Sequence, residues 1–414
     1  MSFAFFTCLL IWLGIVVSAF RRGADPLSPA RVFAFVWSFA IGLSELKLSK
    51  LQHEWALESW ILLLLGPASF LCGTYVVYVL NLDSELLSLD EIRQSWHPRK
   101  IDHRRLLAAI VILFLLFVFG YITLVLSGRE IPLLSQRPGP ARRAFQMFGV
   151  GLLINNVVMI IFLTVLYCVS LVKNLMKKAV LVIVSLISFL MYMTTLGRLN
   201  LFIAIILTCV FIYYATRRIR LSTVLVVLVL IIITVSISSI RGGGLSFSEA
   251  LFAYSQMRIP PYLAFLTEPY MYTVMNLEMF ARSLERIDQF TYGYYTFDFV
   301  TALTGLKHWM SGYFDLTEYP YLYSGFNTYT AFWTYYRDFG PLGLFSISFL
   351  GGCGLSHIYY SMRKKPRYLS LTGYCIAVYL MVLSLVNSQI GFLWILYEMT
   401  VLCFVVFAVS RSDS

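Results

Sequence analysis

Arginine residues stand at the ends of several apolar runs in this chain of 414 residues, where they could bind a phosphate group. Arg198 follows Leu196 and Gly197 in a short turn between two apolar runs, and Arg241 ends another run just before three glycines. The planar guanidinium group donates parallel hydrogen bonds to phosphate or carboxylate oxygens, and glycine lets the backbone approach a ligand closely. We therefore expect these arginines to contact a phosphorylated ligand, with pairing to a nearby carboxylate as the alternative.

Three residues are candidates for proton transfer. Asp338 lies where an apolar run begins, so its carboxylate could accept a proton from an attacking hydroxyl group. A carboxylate at that place could equally cap the N-terminus of a helix. His308 could titrate near neutral pH, whereas Glu278 lies among charges at helical spacing, which favours a solvated position for it.

The segment Tyr323–Gly343, YSGFNTYTAFWTYYRDFGPLG, combines aromatic rings with amide, hydroxyl and guanidinium groups. Its candidate binding residues are Asn327, Tyr336 and Arg337. Rings and hydroxyl groups together are typical of sugar-binding platforms and also of the aromatic belt at a membrane surface. Both interpretations fit this segment.

Several classes of site and partner are disfavoured. No P-loop, GxSxG, HExxH or Rossmann motif occurs in a supporting context, so nothing indicates ATP, a metal ion or another cofactor. The seven cysteines form no CxxC pair or Cys/His cluster, which argues against a zinc site or a disulfide framework. The net charge of +11 comes largely from short basic clusters beside apolar runs, which favour membrane lipid over nucleic acid as a partner.

The elements that must position these residues are membrane helices. The chain is 59% hydrophobic and 13% charged, too poor in charge for a water-soluble surface, and its apolar runs do not alternate as barrel strands would. We predict an all-α polytopic membrane protein of about eleven transmembrane helices. The predicted spans are residues 2–20, 30–48, 60–80, 106–126, 148–172, 179–196, 199–216, 221–240, 339–361, 368–386 and 389–409. Small residues of the ninth span predict close helix packing: Ser348, Gly351, Gly352 and Gly354.

Basic clusters set the predicted orientation. They are Arg21-Arg22, Arg99-Lys100 with Arg104-Arg105, Lys173 with Lys177-Lys178, Arg217-Arg218 with Arg220, and Arg363-Lys364-Lys365 with Arg367. With eleven spans all of them fall on one side, which the positive-inside rule makes the cytoplasm. This places the N-terminus on the outer side of the membrane, the periplasm if the membrane is a bacterial inner membrane, and the C-terminus in the cytoplasm.

The predicted organisation has three parts. Residues 1–240 hold about eight spans and a basic periplasmic loop near 127–146, residues 241–337 form a large periplasmic loop, and residues 338–414 hold about three spans. Prolines in the large loop predict that it is divided into short helices, and Met275–Ile287 has charges at the spacing of an amphipathic helix. Arginine predominates over lysine on the predicted outer side: Arg129, Arg137, Arg142, Arg143, Arg198, Arg241, Arg258, Arg282, Arg286 and Arg337, against Lys47, Lys50 and Lys307.

Short segments of the chain resemble the oligosaccharide repeat-unit polymerases, the Wzy-type O-antigen and capsule polymerases. The segments are Gly128–Arg143, Leu196–Arg198, Ile240–Gly242, Asn327–Thr330 and Tyr336–Gly343. The similarity covers most of the chain as a topology, with one large periplasmic loop before the last three spans. The resemblance implies a glycosyltransferase C-like membrane architecture, undecaprenyl-diphosphate-linked glycans as donor and acceptor, and no metal ion. The functional arginines of that family map by position to Arg198 and Arg241, and then to Arg258 and Arg142.

The residues and the resemblance together predict polymerisation of lipid-linked repeat units at the periplasmic face, with inversion at the anomeric carbon. The arginines would neutralise the departing diphosphate, and Asp338 or Glu278 would deprotonate the acceptor hydroxyl. A chain-length regulator protein is a possible partner. The alternatives are an O-antigen ligase, a non-catalytic receptor or scaffold, and a lipid-linked polysaccharide transporter or flippase. For a transporter, Glu398 in the last span would suit proton coupling.

Overall fold

The computed structural model describes residues 3–19, 21, 24–95, 101–127, 129–145, 147, 149–170, 174–216, 247–287, 289–314, 322–323, 326–388 and 391–410. Within these ranges the chain is built of helices, and its β pairing is limited to two isolated bridges. The predicted all-α class is therefore confirmed for this part of the chain.

The α-helices, several of them very short, follow one another through the described ranges. They are α1 (Phe3–Ala19), α2 (Pro29–Ser44), α3 (Leu57–Val79), α4 (Leu89–Ser95), α5 (His103–Leu126), α6 (Pro138–Ala144), α7 (Val150–Ile154), α8 (Asn156–Val169), α9 (Leu175–Thr194), α10 (Leu199–Ala215), α11 (Phe247–Tyr254), α12 (Thr267–Ser283), α13 (Asp298–Leu303), α14 (Leu306–Met310), α15 (Ala331–Lys364), α16 (Tyr368–Leu383) and α17 (Leu393–Val409). Short 3-10 helices span Pro132–Leu134, Pro261–Leu266 and Leu284–Arg286.

Five helical segments are long and apolar enough to cross a membrane: α3, α5, α9, α15 and Val150–Val169, which joins α7 and α8. Five shorter helices are also apolar, namely α1, α2, α10, α16 and α17. All of these coincide with predicted spans, whereas the predicted span 221–240 lies outside the described residues. The helices are consistent with a multi-pass membrane protein, and the number of eleven spans stays a prediction.

The chain divides into two compact units. Unit 1 comprises Met1–Leu86, Ser248–Lys364 and Ala377–Leu396. Unit 2 comprises Leu87–Phe247, Lys365–Ile376 and Tyr397–Ser414. Each unit therefore combines segments that are far apart in the sequence, so distant residues can contribute to one site.

Unit 1 is built on a close contact between α3 and α15. A Cβ atom at Gly73 would lie 2.2 Å from the carbonyl oxygen of Phe349, and one at Gly352 would lie 2.1 Å from that of Phe70. The two helix backbones therefore touch, as small residues allow in membrane helices. The predicted close packing is confirmed at Gly352, whereas a Cβ atom at Gly354 would meet nothing within 4 Å among the described residues.

Aromatic rings fill the space between α2 and these two helices. Phe33 stacks on Phe70 with ring centroids 3.8 Å apart, and Trp37 stacks on Phe332 at 4.4 Å. The indole N–H of Trp37 donates a hydrogen bond of 3.1 Å to the hydroxyl of Ser384. This packing fixes the N-terminal part of α15, which carries the candidate site.

Unit 2 has helices with one buried face and one exposed apolar face. The buried face of α5 is formed by residues at helical spacing: Leu106, Ile110, Leu113 and Phe117. On the opposite face Leu115 and Phe119 are each 60% exposed. An exposed apolar face of this kind suits contact with lipid and is costly in water.

The region between residues 247 and 330 is broken into short helices, as its prolines predict. Pro261 begins a 3-10 helix and Pro269 lies in the first turn of α12, where a proline is tolerated because those N–H groups have no helical partner. The helix predicted over Met275–Ile287 instead begins at Thr267 and ends at Ser283. Most of its residues are buried, so it is a core helix of unit 1.

The contact between α3 and α15 gives a first prediction. Gly352→Leu should lower the free energy of unfolding by about 3 kcal/mol or more, because its side chain would have to push the two backbones apart. Gly354→Leu is the matched control and should have little effect. Thermal unfolding of both purified variants in detergent measures this, and equal stability of the two would contradict the close contact.

Candidate functional site

The long helix α15 is interrupted at Gly340, which has φ 64° and ψ −156°. The next residue, Pro341, has no N–H to donate to the carbonyl group of Arg337. That carbonyl instead accepts a hydrogen bond of 3.1 Å from the backbone N–H of Thr291. The break in the helix is thus filled by the segment around Thr291, which lies almost fifty residues earlier in the chain.

Asp338 lies just before this break, in the last turn of the first part of α15. The expectation that it caps the start of a span is therefore corrected, because the helix already begins at Ala331. The apolar run starts only after Asp338, but the preceding turns are helical because they are buried in protein. Phe332 and Trp333, for example, are each 2% exposed.

The carboxylate of Asp338 is fully buried and accepts three hydrogen bonds from the segment that fills the break. The hydroxyl of Thr291 donates at 2.5 Å, the N–H of Tyr295 at 3.2 Å, and the N–H of Thr296 at 2.5 Å. A buried carboxylate is stable only when it is paired or hydrogen-bonded in this way. Asp338 therefore holds residues 291–296 against α15.

Arg337 is also buried and supports the same segment from its other side. Its guanidinium group donates a hydrogen bond of 2.5 Å to the carbonyl oxygen of Gln289 and a second one to the hydroxyl of Tyr295. Burial raises the pKa of Tyr295 far above its usual range, so this phenol keeps its proton. Because its oxygen accepts from Arg337, Tyr295 can use that proton to donate to a ligand.

Tyr295 lines a cavity of about 460 Å3 in unit 1. The other lining residues are aromatic, hydroxyl, amide or charged with few exceptions: Tyr294, Asp298, Lys307, Asn327, Thr328, Tyr329, Thr330, Trp333, Thr334, Asn387, Ser388, Gly391 and Phe392. We call this the tyrosine cavity. Its volume falls within the range of small-molecule sites.

The walls of the tyrosine cavity combine fixed rings with hydrogen-bonding groups. Tyr329 and Trp333 are stacked with centroids 4.5 Å apart, and Tyr295 meets Trp333 edge-on at 5.2 Å. The buried hydroxyl of Thr330 has no hydrogen-bond partner among the described residues, and a buried polar group of this kind calls for one. Flat apolar faces surrounded by donors and acceptors match the two kinds of surface that a sugar ring presents.

A charged pair stands at the wall of this cavity. Lys307 and Asp298 form a short ion pair, with side chains 40% and 25% exposed. The ammonium group of Lys307 also lies 5.7 Å from the ring centroid of Tyr294. Sequence analysis missed Tyr294, Tyr295 and Asp298 as site residues, although the run FTYGYYTFD over residues 290–298 has the same aromatic and hydroxyl character as the predicted segment.

Glu278 is fully buried, so the prediction of a solvated position is wrong. Its carboxylate accepts hydrogen bonds from the backbone N–H of His53 at 3.1 Å, the indole N–H of Trp55 at 2.8 Å and the guanidinium of Arg282 at 2.9 Å. The charge spacing predicted a helix in this part of the chain, but the segment 51–55 covers the side of α12 that carries Glu278.

His53 is a second residue that sequence analysis missed. Its Nδ1 contacts the guanidinium group of Arg282 and lies 3.3 Å from the Glu278 carboxylate and 3.0 Å from the carbonyl oxygen of Leu51. Its side chain is 52% exposed. It lines a polar cavity of about 300 Å3 together with Arg282 and Arg286. A carboxylate that orients an exposed imidazole is an arrangement suited to proton transfer.

The remaining predicted residues of unit 1 lie apart from the lining of the tyrosine cavity, except Asn327. His308 is exposed on α14, and the ring of Tyr336 packs edge-on against Phe290 at 6.2 Å. Arg258 is exposed. Its guanidinium group donates a hydrogen bond of 3.4 Å to the carbonyl oxygen of Lys47, and its backbone N–H donates one of 2.7 Å to that of Leu48.

Arg142 and Arg198 belong to unit 2, and Arg241 lies outside the described residues. Arg198 is half-buried at the start of α10, and its carbonyl oxygen accepts two hydrogen bonds from the first turn. The preceding turn is tight: Leu196 has φ 56°, and a Cβ atom at Gly197 would lie 2.2 Å from the hydroxyl of Tyr192. Only glycine fits at position 197 without moving that ring.

The segment that carries Arg142 lies at the same end of unit 2 as Arg198. The hydroxyl groups of Tyr121 and Thr194 are 2.5 Å apart, and Phe145 packs on the ring of Tyr121 with centroids at 5.8 Å. These contacts bring the end of α5, the end of α9 and the end of the basic segment together. Within the described ranges, no group of three or more His, Cys, Asp or Glu side chains is placed to hold a metal ion.

The burial of Asp338 gives a second prediction. Asp338→Asn should lower the free energy of unfolding by about 2 kcal/mol, because the new amide group would face a backbone N–H donor without an acceptor. Thermal unfolding in detergent measures the loss. The same substitution at Asp90, whose side chain is 79% exposed, is the control and should have no effect. Unchanged stability of Asp338→Asn together with lost activity would instead indicate a proton-transfer residue.

The chain was also compared with known proteins. No family model matches it. No curated protein and no solved structure matches it either. The resemblance to repeat-unit polymerases therefore depends on short motifs such as Leu196–Arg198 and Asn327–Thr330, and the function must be inferred from this chain's own residues and their geometry.

Proposed function

We propose that this protein is a membrane glycosyltransferase that polymerises undecaprenyl-diphosphate-linked oligosaccharide repeat units at the periplasmic face of the bacterial inner membrane. The tyrosine cavity is the observation that carries the proposal. It joins stacked rings with amide and hydroxyl groups in one pocket, within a chain whose helices suit a membrane. We assign it to binding a sugar unit of the lipid-linked substrate.

The groups of this cavity are suited to a neutral, hydroxylated ligand. Asn327 supplies both donor and acceptor atoms, Thr330 supplies a hydroxyl with unused capacity, and Tyr295 supplies a phenol whose oxygen already accepts from Arg337. The pair of Lys307 and Asp298 is internally neutral and adds one cation and one anion to the wall. A highly anionic ligand would gain little from this arrangement.

The proposed reaction balances without a cofactor. The oxygen of an acceptor sugar hydroxyl forms a bond to the anomeric carbon of the donor glycan, and the bond from that carbon to the diphosphate oxygen breaks. The electron pair leaves with the undecaprenyl diphosphate, and the hydroxyl proton passes to a base. Because diphosphate is already a good leaving group, positioning and charge neutralisation supply most of the catalysis.

The geometry of the three candidate groups distinguishes their roles in accepting the proton. The carboxylates of Asp338 and Glu278 are both fully buried and each accepts three hydrogen bonds, so neither faces a ligand directly. His53 is exposed, and its Nδ1 contacts both the Glu278 carboxylate and the Arg282 guanidinium group, so we include its imidazole among the candidate bases. Asp338 then acts as a positioning residue for Tyr295.

The direct test is reconstitution. The purified full-length protein, in liposomes with undecaprenyl-diphosphate-linked repeat units and no other protein, should produce a ladder of longer lipid-linked glycans. Gel separation of the labelled glycans reads out their length. Substrate that stays at one repeat under all conditions would remove the polymerase assignment. Transfer only to a lipid A core acceptor would instead identify an O-antigen ligase.

The cavity gives a third prediction. Tyr295→Phe should lower kcat/KM for polymerisation about tenfold, because the ring stays in place while the hydrogen bond to the sugar is lost. Initial rates of glycan extension in liposomes measure it. Tyr313→Phe removes a hydroxyl from an exposed tyrosine of the same region and is the matched control. Equal rates for the two variants would contradict a ligand role of Tyr295.

The arginine hypothesis gives a fourth prediction. Arg198→Ala should lower the polymerisation rate about a hundredfold or more, because a guanidinium group at a departing diphosphate stabilises the developing charge. In cells the long glycans should collapse to a single repeat. Arg137→Ala removes an exposed arginine of unit 2 and should keep the long glycans. A normal ladder in Arg198→Ala, at equal protein levels, would refute the diphosphate contact.

A transporter or flippase of lipid-linked glycans is the second candidate, and one observation favours it. Glu398 is only 3% exposed within the apolar helix α17, and one of its carboxyl oxygens has no hydrogen-bond partner among the described residues. Buried ionisable groups of this kind mark proton or ion pathways in membrane proteins. In the same liposomes, movement of repeat units across the bilayer without lengthening would establish this function.

A further inference from the structure

A second cavity of unit 1, of about 590 Å3, lies at the other end of α15. It is bounded by the start of α2, the end of α3 and the end of α15, and the residues that matter for its chemistry are Asp25, Ser28, Arg31, Ser356, Tyr359 and Arg363. Ser356 is separated from the tyrosine cavity by roughly 30 Å of helix. The site is therefore independent of the proposed sugar pocket.

The charged residues of this cavity leave a net positive charge. Arg31 and Arg363 line it together with one carboxylate, that of Asp25. Asp25 accepts a hydrogen bond of 2.9 Å from the hydroxyl of Tyr359, which in turn accepts one of 2.7 Å from Arg363. The guanidinium of Arg31 is fixed by the carbonyl oxygen of Asp25 at 2.8 Å. The Arg363 guanidinium also lies 3.9 Å from the Asp25 carboxylate, so these two charges form an ion pair. Both guanidinium groups are thus held in place, and the lining keeps one net positive charge for a ligand to neutralise.

Two further features at this cavity favour an anion. The N-terminal turn of α2 lines it, so the positive end of that helix dipole lies at the cavity, and the N-cap residue Ser28 makes no side-chain hydrogen bond to the turn. Ser356 is 1% exposed, and its hydroxyl has no hydrogen-bond partner among the described residues although it lines the cavity. A buried hydroxyl of this kind is suited to donate to a ligand oxygen.

An apolar track leads away from the cavity along α3. Exposed residues recur on one face at spacings of three or four: Ile61, Leu64, Ala68, Cys72, Tyr75 and Val79. Tyr75, which is 65% exposed, belongs both to this track and to the lining of the cavity. A free anion would use the polar cavity alone, whereas a lipid would use the cavity and the track together.

We propose that this cavity binds the phosphodiester headgroup of a membrane phospholipid, with Arg31 and Arg363 holding the phosphate and an acyl chain lying along the exposed track of α3. The single negative charge of a phosphodiester matches the one positive charge left over in the cavity. Lipid binding here requires neither the tyrosine cavity nor catalysis, so this proposal can be tested independently of the proposed function.

The test is lipid titration of the purified, delipidated full-length protein, followed by native mass spectrometry. Dioleoyl phosphatidylglycerol should bind saturably with one tight site. Dioleoyl glycerol, which has the acyl chains without the phosphate, and inorganic phosphate, which lacks the chains, should each bind at least about tenfold more weakly. Equal binding of the diacylglycerol, or full displacement of the phospholipid by equimolar inorganic phosphate, would overturn the proposal.

Charge variants locate the site. Arg31→Gln and Arg363→Gln should each weaken phosphatidylglycerol binding about tenfold or more, because each removes a charged hydrogen bond to the phosphate. Lys364→Gln removes the same charge one residue away from Arg363, at an exposed position outside the lining, and is the matched control. Wild-type affinity in both arginine variants would refute the site.

Asp25→Asn separates binding from folding. Removing the one carboxylate of the cavity should tighten phosphatidylglycerol binding severalfold, because the repulsion of the phosphate is lost. A folding defect would weaken binding instead of tightening it. Unchanged or weaker binding in a variant with wild-type thermal stability would count against a phosphate held between Arg31 and Arg363.

Discussion

The burial of the Asp338 charge is the constraint on which the candidate site depends. A carboxylate with no exposure must find hydrogen-bond donors inside the protein, and all of its described donors come from residues 291–296. The break at Gly340 and Pro341 leaves backbone carbonyl groups without helical donors, and N–H groups of the same segment donate to them instead. One local irregularity of a long helix therefore places Tyr295 at the cavity wall and fixes its ring against Trp333.

Arginine serves different purposes in different parts of the molecule. Arg337 and Arg282 bond mainly to the protein itself, to a carbonyl oxygen and a phenol in one case and to a buried carboxylate in the other. Arg31 and Arg363 are fixed by neighbours and still line an open cavity. The number of arginines on the predicted outer side of the membrane therefore says little about phosphate binding until the partners of each arginine are known.

The helical class and the positions of the apolar helices could be predicted from the sequence. The backbone of an apolar run in lipid must satisfy its hydrogen bonds internally, and a helix does so within a single segment. The segment around Asn327 was also recognised by its composition. The solvated position of Glu278 was predicted wrongly, and the structure excludes the alternative that Asp338 caps the start of a helix. Both outcomes depend on segments distant in the chain, since 51–55 covers Glu278 and 291–296 covers Asp338. The spacing of residues within one helix does not show which distant segment packs over it. His53 was missed for the same reason.

The order in which the partners of Asp338 occur along the chain has a consequence for biosynthesis. The donors at residues 291–296 leave the ribosome before their acceptors at Arg337 and Asp338 exist. Until then these hydrogen bonds cannot form, and the amide groups need other partners such as water. Since the chain is made from its N-terminus, the segment 291–296 can reach its final hydrogen bonding only after the first turns of the long helix have been translated.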